Sequence, residues 1–159
     1  MYETKKTATI IMTIIVIIIV AVFLVSYIKF KRRYKMQYQF ALFMQEKYET
    51  DTKDIETSLS FCSALADAQL YKRAYDLYDE ILKDNNKKAL LSQEQLERVM
   101  LNKRFCDAPI FWSSGARDHI HFKYLHHFFL ERIGRRRYSF IREEDLLEFN
   151  SRLRFNRMR

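Results

Sequence analysis

Four histidines crowd one short stretch of this chain: His119, His121, His126 and His127. A helical metal chelate places its ligands at i and i+4 on one face. The residue four beyond His119 is Lys123, and four beyond His121 is Leu125. No carboxylate–histidine set has the needed spacing, and Cys62 and Cys106 are remote. The stretch therefore predicts a polar side, solvated or lipid-facing, whose one open chemistry is a change of charge near neutral pH. Ser113-Ser114-Gly115 lacks the glycine on both sides of a serine that a nucleophile elbow needs. Acidic residues are numerous, but no spacing pairs two of them across a cleft. The sequence predicts no catalytic residue, no metal and no cofactor, and reads as a non-enzyme. The chemistry that it does carry is electrostatic. Lys29, Lys31, Arg32, Arg33 and Lys35 form one basic run. Arg135, Arg136 and Arg137 form a second, and Arg152, Arg154, Arg157 and Arg159 load the C-terminal end.

The 159 residues allow one soluble domain at most. Apolar residues make up 48% and aromatics 15%, which excludes a disordered chain. Two Gly and one Pro argue against a β-sandwich, a barrel or a glycine-loop nucleotide fold, and two Cys exclude a disulfide scaffold. The formal charge is +8. Its basic excess lies in residues 1–35 and 106–159, whereas 36–105 are slightly acidic.

Residues 8–28 (ATIIMTIIVIIIVAVFLVSYI) run for 21 positions without a charge, a Gly or a Pro. As a helix rising about 1.5 Å per residue they cover about 31 Å, the thickness of a bilayer's hydrocarbon core. Fourteen of them are Ile, Val, Leu or Phe. At roughly −0.3 to −0.6 kcal/mol each, insertion gains on the order of 4–8 kcal/mol. A buried core helix is the soluble alternative, but so small a chain could not surround it. A cleavable signal peptide would carry an apolar stretch of about 7–15 residues ending in a small-x-small site. This one runs on into Tyr27, Ile28 and Lys29. The reading is an uncleaved transmembrane helix. Lys5 and Lys6 precede it and the five cations of segment 29–35 follow it, which places the C-terminal side in the cytoplasm and the 1–7 tail outside. The reverse orientation would rest on Lys5 and Lys6. The basic juxtamembrane run is explained as a stop-transfer signal and an anchor on anionic lipid.

No Gly or Pro occurs between Met1 and Ala108, which permits helix and opposes tight turns. Met36, Phe40, Phe43, Met44 and Tyr48 form one stripe on a helix of about 36–49. Thr50-Asp51-Thr52 reads as a turn followed by an N-cap. Residues 55–68 and 71–83 read as two helices with so short a link that they form an antiparallel hairpin. Small Cys62 and Ala74 let them approach closely. Asn85–Lys88 reads as a loop. A helix over 92–105 opens on a capping box, Ser92-x-x-Gln95, and continues with Leu96, Val99 and Met100.

Over residues 55–88 the hairpin resembles a single tetratricopeptide repeat. Phe61 followed by small Cys62, then Leu65, Tyr71, Ala74, Tyr78 and Ile81, fall in that family's order and spacing. Ser58 stands where the family favours a large aromatic, and Asn86 where it favours Pro. The resemblance implies a role in protein–protein interaction. One repeat cannot bury its apolar face alone, so the helices at 36–49 and 92–105 are expected to cover it.

The last third changes character. Residues 106–116 (CDAPIFWSSGA) form an irregular connector, with Phe111 and Trp112 expected in the helical core. Residues 117–133 read as a helix ended by Gly134. Ser139 is expected to cap a last helix with Glu143, Glu144 and Asp145 in its first turn and a stripe of Leu146, Phe149 and Leu153. The fold class is all-α: one N-terminal transmembrane helix (8–28), then a helical, repeat-like domain (36–105) and a basic, aromatic helical segment (117–159). The expected function is that of a single-pass, membrane-anchored adaptor or accessory subunit of a membrane complex. Its expected partners are the bilayer and other protein subunits. Tyr71, Lys72 and Tyr75 on the hairpin and Arg135, Arg136 and Arg137 would meet them. The alternative is a tethered regulator that binds nucleic acid or an anionic surface through its basic third. Asp118, Glu131, Glu143, Glu144, Asp145 and Glu148 interrupt that run and argue against nucleic acid.

Overall fold

With no Pro or Gly before Ala108, nothing in the sequence stops a helix from continuing past the apolar stretch, and it does continue. The computed structural model describes residues 2–107, 124 and 137–157. Among them every regular element is an α-helix: α1 (Tyr2–Thr50), α2 (Ile55–Asp67), α3 (Tyr71–Lys83), α4 (Asn85–Ala89), α5 (Gln93–Cys106) and α6 (Glu143–Arg157). The chain divides into two units, Met1–Arg33 and Tyr34–Arg159.

In the second unit each change of direction has a local cause. After α1, the Asp51 carboxylate accepts from the backbone N–H groups of Lys53 and Asp54, both at 3.2 Å. Asp54 then caps α2, accepting from Glu56 and Thr57 N–H. The cap is thus Asp54, two residues beyond the Thr50–Thr52 cluster. Helix α2 closes in a paired C-terminal motif, with Leu70 N–H donating to Leu65 C=O and Gln69 N–H to Ala66 C=O. That geometry puts Gln69 at φ 57°, where glycine is the usual occupant. Residues 85–88, expected as a loop, are instead part of the short helix α4. Asp84 ends α3 and also caps α4, its carboxylate accepting from Asn86 and Lys87 N–H. Helix α5 opens on the Ser92/Gln95 capping box, with both reciprocal hydrogen bonds formed.

Helix α2 packs on α3, and α3 on α5. Cys62 and Ala74, the small residues of the hairpin, are fully buried. The core joins Phe40, Phe43 and Met44 of α1, Leu59 and Leu65 of α2, Leu77, Tyr78 and Ile81 of α3, Val99 of α5 and Phe149 of α6. Complete burial of a Leu or Ile side chain contributes roughly 1.5–3 kcal/mol. Met36 and Met100, expected on the stripes of their helices, are exposed, because those helices turn them to the rim.

The largest departure concerns α2. The spacing of Ile55, Leu59, Cys62 and Ala66, broadened by Phe61 and Leu65, gives the helix one apolar side, yet every residue from Thr57 to Ala66 is buried. Helix α2 is the central element of its unit, so its hydroxyl-bearing residues also face protein.

Candidate functional site

Two arrangements stand out, one in each unit. In the first unit, every large apolar side chain from Ile10 to Val25 is 43–62% exposed, on all sides of the helix. This helix is long and apolar enough to cross a membrane. Its polar side chains are compatible with hydrocarbon where their donors are satisfied internally. Thr9 Oγ1 donates to Lys5 C=O at 3.0 Å and Thr13 Oγ1 to Thr9 C=O at 2.8 Å. Lys29, Lys31, Arg32 and Arg33, and Lys35 just past the end of this unit, are all exposed.

In the second unit, the hydroxyl side of α2 receives the chain returning through residues 137–149. Ser63 Oγ accepts from Phe140 N–H at 2.8 Å. Ser60 Oγ donates to the Asp145 carboxylate at 3.0 Å. Thr57 Oγ1 accepts from the Arg142 guanidinium at 3.1 Å and itself donates to Asp54. From α5, Asn102 grips the same segment as one peptide grips another. Its Nδ2 donates to Tyr138 C=O at 2.7 Å, and its Oδ1 accepts from Tyr138 N–H at 2.8 Å. Its Nδ2 also reaches Tyr78 Oη at 3.0 Å.

Asp145 is the centre of this assembly. Its side chain is fully buried, and it accepts from Lys47 Nζ at 2.7 Å, from Ser60, and from Arg142 through a two-nitrogen fork at 2.9 and 3.2 Å. Burial opposes its charge, but the hydrogen bonds of Arg142, Lys47 and Ser60 outweigh burial and hold the carboxyl below its ordinary value. Lys47 also pairs with Glu148 at 2.8 Å. One turn further on, Phe149 packs edge-on against Phe40 (5.3 Å between centroids) and beside Phe43 (5.6 Å). Ser139, expected as the helix cap, only accepts from Ile141 N–H, and α6 starts at Glu143. Leu146, expected in the buried stripe, is exposed, because Asp145 and Phe149 take the inward face.

The expected docking residues behave unequally. Lys72 is exposed and pairs with Asp76 one turn on. Tyr71 is partly buried, its ring edge-on to Phe105 at 5.9 Å, and burial pushes its hydroxyl pKa upward. The ring of Tyr75 has Lys103 Nζ at 4.9 Å and Lys72 Nζ at 5.9 Å. The two tyrosines therefore serve the packing of α3 on α5 as well as its surface. Arg137 is mostly buried, joined to Asp67 with its guanidinium over the Phe105 ring. It ties α2 and α5 to the returning segment. Arg135, Arg136, the four histidines and the Phe111–Trp112 pair lie outside the described residues. Cys62 and Cys106 are free thiols, both buried. Burial raises both pKa values, that of Cys106 to about 12, which marks packing residues rather than nucleophiles.

Asn102 and Asp145 were not singled out from sequence for these roles. A signal exists for each. Val99, Asn102 and Cys106 share one face of α5 by spacing, and Asp145 shares a face with Phe149. A polar residue in such a row is the mark of a buried partner. The arrangement gathers donors and acceptors that satisfy one another, and what it can do chemically is hold chain segments together.

No protein-family model, no curated protein and no solved structure matches this chain.

Proposed function

We propose that this chain is a single-pass, membrane-anchored adaptor or accessory subunit without catalytic activity of its own. Residues 8–28 span the bilayer, and the unit Tyr34–Arg159 stands on the cytoplasmic side. The observation that carries this reading is the exposed apolar surface on all sides of α1 between Ile10 and Val25. In water that surface would drive aggregation, whereas in a bilayer it is solvated. The five cations of the 29–35 run, against Lys5 and Lys6 before the span, support the orientation. The α2–α3 hairpin, read as a repeat-like unit, supports the interaction role. Lys72 and the accessible edges of Tyr71 and Tyr75 offer one contact face, and Arg135 and Arg136, which precede the internally paired Arg137, would offer another. A tether also raises the concentration of the domain toward partners in the same membrane.

Alkaline carbonate extraction followed by protease treatment of sealed cells tests the anchor and its orientation. The expected result is a chain retained in the pellet, with its C-terminal domain protected from external protease. Release by carbonate would end the anchor reading, and external cleavage within 34–159 would invert the topology. Purification in mild detergent then tests the adaptor role: a stoichiometric integral-membrane partner is expected, and its absence counts against the assignment.

A further inference from the structure

Helix α6 runs antiparallel to the part of α1 that lies in its own unit. As α6 advances from Asp145 through Phe149 to Arg154, its neighbours on α1 fall back from Lys47 through Phe43 and Phe40 to Met36. Met36, Leu147 and Arg154 line one shallow groove. The C-terminal end of α6 therefore lies beside Met36, next in sequence to Lys35, where that part of α1 begins. The helix is also segregated by charge. Glu143, Glu144, Asp145 and Glu148 occupy its first half. Beyond Glu148 the chain holds Arg152, Arg154, Arg157 and Arg159 and no acid. Arg152 is committed to Glu46 and Glu148, but Arg154 is exposed. Beside it Phe155 is 72% exposed, the most exposed large apolar side chain among the described residues.

We propose that this end of the helix, through Arg154 and Phe155, docks on anionic lipid headgroups and seats the Tyr34–Arg159 unit against the membrane. The inference rests on the anchor reading and adds to it a second, independent point of attachment. Covalent geometry favours it whatever arrangement the two units take. The seven links from Ile28 to Lys35 span about 10 Å as the helix they form in α1 and at most roughly 25 Å when fully extended, so Lys35 and the groove beside it stay within reach of the headgroup layer. The pairing of an exposed aromatic with cations is the chemistry of an interfacial anchor: the ring enters the headgroup–acyl boundary while the guanidinium meets phosphate and carboxylate. The acidic half of α6 lies at the opposite end, so contact by the basic end keeps the acids away from the negative surface.

The full-length chain in vesicles of phosphatidylcholine, with or without phosphatidylserine, tests this. A fluorophore is attached at Asn156→Cys or, as the distal control, at Glu144→Cys. Both positions are exposed, and the two native thiols are buried. Lipids carrying a headgroup quencher report proximity. At position 156, quenching is expected to rise at least about twofold when phosphatidylserine is present and to fall back as salt is raised, with position 144 unmoved. The double variant R154E/F155S is expected to lose that rise. If position 156 stays as unquenched as 144 while the chain still resists carbonate, the docking is overturned and the anchor stands. If carbonate releases the chain, both fall. A duplex oligonucleotide that binds the chain and abolishes the quenching would replace the lipid assignment with nucleic acid, and quenching that survives it supports lipid.

Discussion

At the scale of single residues, the carboxylate that joins α6 to α1 and α2 is buried and fully partnered. Asp145 has four hydrogen bonds and no solvent. Asp145→Asn leaves Lys47 and Arg142 without their shared negative charge and with one acceptor oxygen in place of two. Loss of one member of a buried pair typically costs about 3–5 kcal/mol. Here both cations are about a quarter exposed and retain other carboxylates, Glu148 for Lys47 and Glu144 for Arg142. A loss of about 2–3 kcal/mol in urea denaturation is therefore expected. The pH dependence follows from the sign of the shift. The folded pKa lies below the ordinary value, so the contribution is complete above that value. It disappears as pH falls from about 4 through the folded pKa. The stability gap between wild type and Asp145→Asn should be constant above about pH 5 and should close in acid. A gap that widens in acid would contradict the ionised, paired carboxylate. Gln69 offers the opposite test. Its positive φ and its buried Oε1, which has no hydrogen-bond partner, both carry a cost that glycine avoids. Gln69→Gly should stabilise the chain by about 0.5–1 kcal/mol in the same assay, and a loss would show that the side chain contributes packing that outweighs the strain.

At the scale of elements, periodicity alone makes most of the helices legible. The range 71–83 is read from sequence with both boundaries, and 55–68 and 92–105 to within a residue, because the capping signals at Ser92 and the hairpin spacing are local. What is not legible comes from outside each element. Burial of α2 on all sides depends on a segment some eighty residues further along the chain, and nothing local to 55–68 supplies partners for Ser60 and Ser63. The same holds for Asp145. In a first turn it reads as a dipole-stabilising surface acid, and only the position of Lys47 on α1 makes it a core residue. Helix α4 was hidden for a different reason: Asp84 serves two helices at once, and Asn-Asn reads as loop. The anchoring of α6 can be tested as an element. Phe149→Ala removes the ring that meets Phe40 and Phe43, and should cost about 3 kcal/mol or more. Because Ser63 and Asn102 hold residues 138–140 by hydrogen bonds that form only when the segment is seated, limited proteolysis within 138–142 should accelerate with it. Destabilisation without new cleavage there would mean that α6 is not what holds the returning segment down.

At the scale of the whole molecule, the division into Met1–Arg33 and Tyr34–Arg159 sets up a separation of roles that a charge-insertion experiment can read. Insertion of residues 8–28 is worth on the order of 4–8 kcal/mol, drawn from many small apolar contributions with no single dominant one. One lysine near the centre of the span costs roughly 2.5–3.5 kcal/mol, and a second brings the total to about 5–7 kcal/mol, in addition to the apolar gain lost at both positions. A single Ile17→Lys should therefore weaken membrane retention without abolishing it, whereas Ile14→Lys with Ile18→Lys should bring insertion close to balance and move much of the protein into the carbonate-soluble fraction. The core of Tyr34–Arg159 is built from that unit's own residues. Its denaturation midpoint should accordingly be the same in the released double variant as in the parent protein held in detergent micelles. Release together with a folded C-terminal unit would establish the span as a tether that can be removed by itself. Release accompanied by unfolding would show that α1 acts as a structural support for the domain, and an unaltered pellet would show that something other than the apolar span holds the protein on the membrane.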